Sequence, residues 1–108
     1  MFQASIQFHG GDAESGSVFM VETHAPAGYV LAQHAHDKPH LSYLASGIAR
    51  VEVAGDSVTY TGPAVLTIAA HKVHTVTAIT AITWLCLWSA DDGMQEAARE
   101  SLKLLGGA

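Results

Sequence analysis

Short apolar segments separated by turn-forming residues run through the first ninety residues of this chain. Apolar and polar side chains alternate in the first segment, Phe2–His9, and β-branched residues are frequent in many of the others, as is typical of strands. The predicted strands are residues 2–9, 17–23, 29–36, 40–45, 48–53, 57–61, 65–69, 74–79 and 82–88. Many short strands with frequent turns predict a sandwich or a barrel, and periodicity alone does not choose between them.

Glycine and proline mark the expected connections between these strands. The stretch Gly10–Gly16 is predicted to be a loop, and Pro26 ends the second strand because proline cannot donate to a sheet ladder. Gly55-Asp56 is the expected tight turn of a hairpin. Gly62-Pro63 ends the strand that follows it.

The last part of the chain has a different pattern. Asp92 followed by Gln95 is typical of a capping box at the start of a helix. Apolar residues then recur at helical spacing: Met94, Ala98, Leu102 and Leu105. Gly106-Gly107 is expected to end the helix. We therefore expect one C-terminal helix over about 92–105, packed on a barrel of about 1–90, and a single domain over residues 1–108.

The charge distribution argues against two classes of partner. The formal net charge is −5, and the five Lys and Arg residues are scattered along the chain. Binding to nucleic acid or to an anionic membrane surface needs clustered positive charge, so we expect neither. The first basic residue is Lys38, so no signal peptide is predicted, and the apolar stretch 78–88 is too short to span a bilayer. A cytoplasmic location is the expectation.

The single cysteine and the chain length limit how the domain can be stabilised. Cys86 excludes an internal disulfide and a cysteine-rich zinc site, and its apolar surroundings predict a buried thiol. A core of this size gives only moderate stability. We expect a homodimer, in which the N-terminal strand Phe2–His9 pairs with a partner sheet.

Three of the seven histidines have a spacing that suits metal binding. His34 and His36 are two residues apart on a predicted strand, so their side chains point to the same face. Both rings can then reach one ion at about 2 Å. Pro39 predicts a bend that brings His40 back toward the same point. For a further ligand, spacing does not choose among His74, His71, His24 and His9.

A resemblance narrows this choice. The segment Gly28-x5-His34-x-His36-x3-His40-x6-Gly47 resembles the first motif of the cupin superfamily, G-x5-H-x-H-x3/4-E-x6-G, in which His40 stands at the place of the glutamate. The stretch from Gly62 to His74 is similar to the second motif, G-x5-P-x-G-x2-H-x3-N, with one extra residue. There Ala69 replaces the proline, His71 the second glycine and Ala78 the asparagine.

The resemblance implies an all-β, antiparallel cupin (jelly-roll) barrel with a metal centre. The ligands it implies are His34, His36, His40 and His74, which hold one divalent transition metal ion: Fe, Mn, Zn, Ni or Cu. Imidazole suits all five metals, so the ligands do not identify the ion. Four neutral imidazoles leave the full 2+ charge on the site, which favours Lewis-acid chemistry and an anionic substrate oxygen.

The same resemblance implies a small-molecule enzyme with dioxygenase-type oxidative cleavage of an enolisable or enediol substrate. The alternatives are a metal-dependent isomerase, cyclase or lyase, a small-molecule-binding sensory module without catalysis, and a storage barrel, against which the four histidines count. No organic cofactor and no catalytic side chain are assigned. The residues that we consider as pocket lining are Tyr43, Tyr60, Trp84, Trp88, His24 and His71.

Overall fold

The computed structural model describes residues 3–33 and 39–89, and this part of the chain consists of strands and connecting turns. The strands are β1 Ser5–Gly10, β2 Val18–Ala25, β3 Val30–Gln33, β4 His40–Ser46, β5 Ile48–Val53, β6 Asp56–Thr61, β7 Ala64–Ile68, β8 His74–Ala78 and β9 Ile82–Ser89. Each predicted strand that lies wholly in the described part is confirmed, with its ends moved by at most a few residues. The strand predicted over 29–36 is described as far as Gln33.

The strands form two antiparallel sheets. The five-stranded sheet has the order β1-β2-β9-β4-β7, and the four-stranded sheet has the order β3-β8-β5-β6. Their inner faces enclose one apolar core, as in an all-β jelly roll. The prediction of an all-β antiparallel fold is therefore confirmed.

Strand β9 shows how the sequence pattern produces the core. Its alternate residues Ile82, Trp84, Cys86 and Trp88 are buried, and the residues between them are partly exposed. Trp84 is fully buried, and its indole Nε1 donates to the Sγ of Cys86 at 3.2 Å. Cys86 is thus the buried thiol that the sequence predicts. Replacing a buried tryptophan by alanine typically costs about 3–5 kcal/mol, so β9 is a main source of stability.

Two connections differ from expectation. The Gly10–Gly16 loop contains a 3-10 turn, Ala13–Ser15, because the side chain of Asp12 accepts a hydrogen bond from the Ser15 backbone N–H at 2.9 Å. That bond comes first among the causes that hold the pKa of Asp12 below its ordinary value. The β5–β6 hairpin turns at Ala54-Gly55, one residue earlier than predicted. Both residues have positive φ, 49° and 90°, as in a type I′ turn.

The predictions for the N-terminal strand and for the C-terminal helix have different outcomes. Strand β1 pairs along its whole length with β2 of the same chain and lies at one end of the five-stranded sheet in the described ranges. The helix predicted over 92–105 lies outside the described residues, so it stays a prediction. Within residues 3–33 and 39–89, no helix has the length and apolar character needed to cross a membrane.

Candidate metal centre

Two histidines face each other across the interior of the barrel. His40 opens β4 of the five-stranded sheet, and His74 opens β8 of the four-stranded sheet. Only 6% of His40 and 1% of His74 is exposed. Their ring centroids are 5.9 Å apart. Two imidazoles that share one ion through nitrogens at about 2.0–2.1 Å have centroids roughly 5–6 Å apart, so this pair suits a common ion.

The backbone before β8 sets the orientation of the His74 ring. Its Nδ1 donates to the carbonyl oxygen of Lys72 at 3.1 Å, with the tautomer assigned from this contact. A neutral imidazole that donates from Nδ1 carries its lone pair on Nε2. Metal-binding histidines commonly have this second hydrogen bond, which fixes the ring and raises its basicity. The His74 ring therefore carries its lone pair on Nε2, the nitrogen that metal coordination would use.

An aromatic row supports His40. The centroids of His40 and Trp88 are 4.6 Å apart, and Trp88 contacts Phe19 at 6.1 Å. Phe19 in turn stacks on Phe8 at 5.7 Å. Phe19 and Trp88 are buried, so this row keeps water away from one side of the His40 ring. A rigid apolar wall of this kind holds a ligand side chain in one rotamer.

His34 and His36, the other two predicted ligands, lie outside the described residues. The residue before His34 is Gln33, which is the register partner of His74. Pro39, the first residue described after 38, precedes the buried His40. The described residues on either side of the stretch 34–38, Gln33 and Pro39, are thus neighbours of His74 and His40. Among the residues that the structure describes, no three His, Cys, Asp or Glu side chains form a group that could hold a metal ion.

His9 and His24, which we expect not to be metal ligands, belong to a separate surface network. The Nε2 of His9 donates to Glu22 at 2.8 Å, and the Nε2 of His24 donates to the other oxygen of Glu22. The Thr83 hydroxyl donates to Nδ1 of His24 at 3.1 Å. The hydrogen bonds from His24 and then His9 lower the pKa of Glu22. This cluster lies on the outer face of β1, β2 and β9.

His71 also lies apart from the buried pair. It is exposed, and its φ of 63° is in the left-handed region. The resemblance aligns this position with a glycine, the residue that adopts such a φ without strain. The backbone therefore agrees with the alignment that selects His74 rather than His71.

The other candidate lining residues separate clearly by strand parity. Trp88 contacts His40, whereas Trp84 belongs to the core beside Cys86. Tyr43 lies between the buried Ser42 and Leu44, so it faces outward. His24 is exposed between the buried Thr23 and Ala25, so it faces outward as well. Tyr60 lines a cleft between β6 and β7. Sequence reasoning missed Lys72, because a contribution through a backbone carbonyl has no residue-type signal.

The donor chemistry fits a transition metal ion. Both buried histidines carry imidazole, a type of ligand that Fe, Mn, Ni, Cu and Zn accept. Charged side chains are absent from the buried residues that the structure describes.

Comparison with known proteins supports the fold. None of the known family models matches the chain, and no curated protein sequence matches it. Among solved structures, a cupin 2 domain-containing protein from Halorhodospira halophila has a TM-score of 0.71 at 17% identity, covering 94% of this chain and 81% of that one.

Two further solved structures share the architecture. A predicted oxalate decarboxylase from Thermotoga maritima has a TM-score of 0.67 at 12% identity, covering 78% of this chain and 77% of that one. The cupin 2 domain of an XRE family transcriptional regulator from Enterobacter cloacae has a TM-score of 0.65 at 13% identity, covering 78% and 93%. The chain therefore has the fold of the cupin superfamily, which confirms the expected resemblance at the level of fold.

Proposed function

We propose that this chain is a metal-dependent cupin enzyme that binds one divalent transition metal ion (Fe, Mn, Zn, Ni or Cu) through His34, His36, His40 and His74. The reaction that we propose is dioxygenase-type oxidative cleavage of an enolisable or enediol small molecule. The observation that carries the proposal is the buried pair His40 and His74, facing each other from opposite sheets. Two imidazoles whose centroids lie 5.9 Å apart inside an apolar core have the spacing of two ligands of one ion.

The described side chains have separate tasks in this proposal. His40 and His74 bind the ion, and the Lys72 carbonyl holds the His74 ring in the tautomer that binds through Nε2. Trp88 holds the His40 ring on its apolar side. The bound ion would supply Lewis-acid polarisation of substrate oxygens and access to dioxygen chemistry. Val53 and Ile68, the register partners of His74 and His40, contribute apolar surface beside the two rings.

Two alternatives each have a structural neighbour in their favour. The predicted oxalate decarboxylase favours a lyase, and an isomerase or cyclase would use the same ion without dioxygen. The cupin domain of the transcriptional regulator favours a sensory module that binds a small molecule without converting it. Consumption of dioxygen distinguishes the proposed reaction from all of these.

An oxygen electrode tests the proposal directly. Protein purified without a metal-affinity tag and loaded with Fe(II) should consume one dioxygen per molecule of a β-diketone or enediol that it cleaves. The His74→Ala variant should lose this activity, and His71→Ala, an exposed histidine three residues away, should retain it. Conversion of the substrate without oxygen uptake would replace the proposal by the lyase or isomerase. Binding without conversion would replace it by the sensory module.

A further inference from the structure

A cleft separates the two sheets on the side where the barrel does not close. Strand β6 ends the four-stranded sheet and β7 ends the five-stranded sheet, and the two are not paired with each other. Between them lies a cleft of about 430 Å³, whose floor includes Val51, Val58 and Leu66. Small-molecule sites commonly have volumes of about 300–1,000 Å³, so the cleft has the size of a ligand site.

One end of this cleft lies beside the strand neighbours of the buried histidines, which do not themselves line it. Val53 and Ile68 both line it, and they are the register partners of His74 and His40. Residues directly opposite on neighbouring antiparallel strands have Cβ atoms about 4.5–5.5 Å apart on the same face. Lys72 lines the cleft as well, and its carbonyl accepts the hydrogen bond from His74. The cleft therefore ends at residues that are direct neighbours of the two histidines of the proposed metal centre.

The lining changes character along the length of the cleft. Asp56 is paired with Val53, so Asp56 and Lys72 are the charged residues that line the cleft toward the histidine end. Val58 and Tyr60 follow along β6 and are paired with the buried residues Val51 and Ala49. Val58 thus belongs to an inward-facing row, yet 49% of it is exposed. An apolar residue that faces inward and stays exposed indicates room for a further apolar group.

We propose that this cleft binds the apolar body of the substrate while its oxygen-bearing head lies at the histidines. The inference rests on the proposed function and names the substrate class: an enolisable dicarbonyl compound with an aryl or alkyl substituent, not a sugar or another wholly polar molecule. Charged and polar groups at one end and Val51, Val58 and Leu66 at the other match such a two-part molecule. Burial of the substituent in the cleft supplies affinity. Binding of the oxygen-bearing head at the histidines sets the orientation of the substrate.

Calorimetric titration of the Zn(II)-loaded protein with two β-diketones tests this inference. Benzoylacetone carries a phenyl ring, and acetylacetone has a methyl group in its place. We expect benzoylacetone to bind at least about tenfold more tightly, because only its ring fills the cleft. The Val58→Asp variant should lose this preference. The matched control is Val30→Asp, because Val30 is also 49% exposed but lies on the outer face of β3, and it should keep the preference.

Equal affinities for the two compounds, or equal losses in the two variants, would overturn the inference. Methyl NMR spectra of metal-free protein separate this inference from the proposed function. If the chain binds no metal, shifts of the Val51, Val58 and Leu66 methyl signals by benzoylacetone would still support the cleft as a binding site. Shifts confined to residues outside the cleft would refute it, whatever the metal content.

Discussion

His71 has a backbone conformation that histidine rarely adopts. Its φ of 63° places Cβ close to the following carbonyl, which costs about 1–2 kcal/mol for a residue with a side chain. We predict that His71→Gly stabilises the protein by about 1 kcal/mol, because glycine adopts this φ without strain. His71→Ala should give no such gain, since alanine retains Cβ. Thermal unfolding checks both, and a lower midpoint for His71→Gly than for His71→Ala would contradict the prediction.

For single residues, the sequence predicts which side chains could bind a metal, but it does not predict the shape of the site around them. The spacing of His34, His36 and His40 marks a metal site because residues two apart on a strand share a face. Spacing does not choose between His71 and His74, because His71 lies just before β8 and His74 is its first residue. The choice of His74 therefore requires the resemblance. The carbonyl of Lys72 and the cleft beside Val58 could not be predicted. They depend on which strands become neighbours, and residue type carries no signal for that.

The strands were predictable because turn residues and period-two alternation act locally. Ile48–Val53 is a predicted strand with the observed bounds, and the hairpin after it was placed one residue too late. The error arose because Ala54 adopts a positive φ, which its residue type does not indicate. Pairing order is not local: the neighbours of β9 are β2 and β4, which are distant from it in the chain. Periodicity therefore predicts the strands but not the sheets.

Two glycines in turns have nearly the same φ but different space around them, so they provide a test of steric contact at the turns. Gly47 between β4 and β5 has φ 91°, and Gly55 between β5 and β6 has φ 90°. A Cβ on Gly47 would lie 2.2 Å from the Ala81 carbonyl oxygen, whereas a Cβ on Gly55 would meet nothing within 4 Å. We predict that Gly55→Ala costs about 1 kcal/mol and Gly47→Ala about 3 kcal/mol or more in the free energy of unfolding.

Urea unfolding at neutral pH measures both values. The difference between the two variants isolates the steric contact, because the cost of the positive φ is common to both. Equal losses would show that the backbone around Gly47 relaxes and that the turn does not fix the position of β4, on which His40 lies.

At the scale of the whole molecule, the outer faces of the two sheets differ. The five-stranded sheet exposes Leu41 and Val65 on its outer face. The four-stranded sheet exposes Val30 there, but it also carries the ion pair of Arg50 and Glu52, at 3.4 Å. The edge of β1 opposite β2 has no paired strand among the described residues. Unprotected edges and apolar faces favour association with a second copy.

We therefore predict a homodimer in which β1 extends the sheet of a partner. Light scattering on the eluting peak of a gel-filtration column should give twice the 11.3 kDa mass of one chain at micromolar concentration. Removal of the residues before Val18 should shift the mass toward that of one chain. A monomer mass for the full chain would contradict the prediction.

The central claim concerns four histidines and one ion, and metal content tests it most directly. Elemental analysis of protein purified without a metal-affinity tag should give one transition metal ion per chain. His36→Ala, His40→Ala and His74→Ala should lose this stoichiometric ion while circular dichroism shows the barrel still folded, because the core is supplied by the strands. His71→Ala should keep the ion. Loss of metal in His71→Ala together with its retention in His40→Ala would contradict the assignment, as would a metal-replete wild-type protein without bound metal.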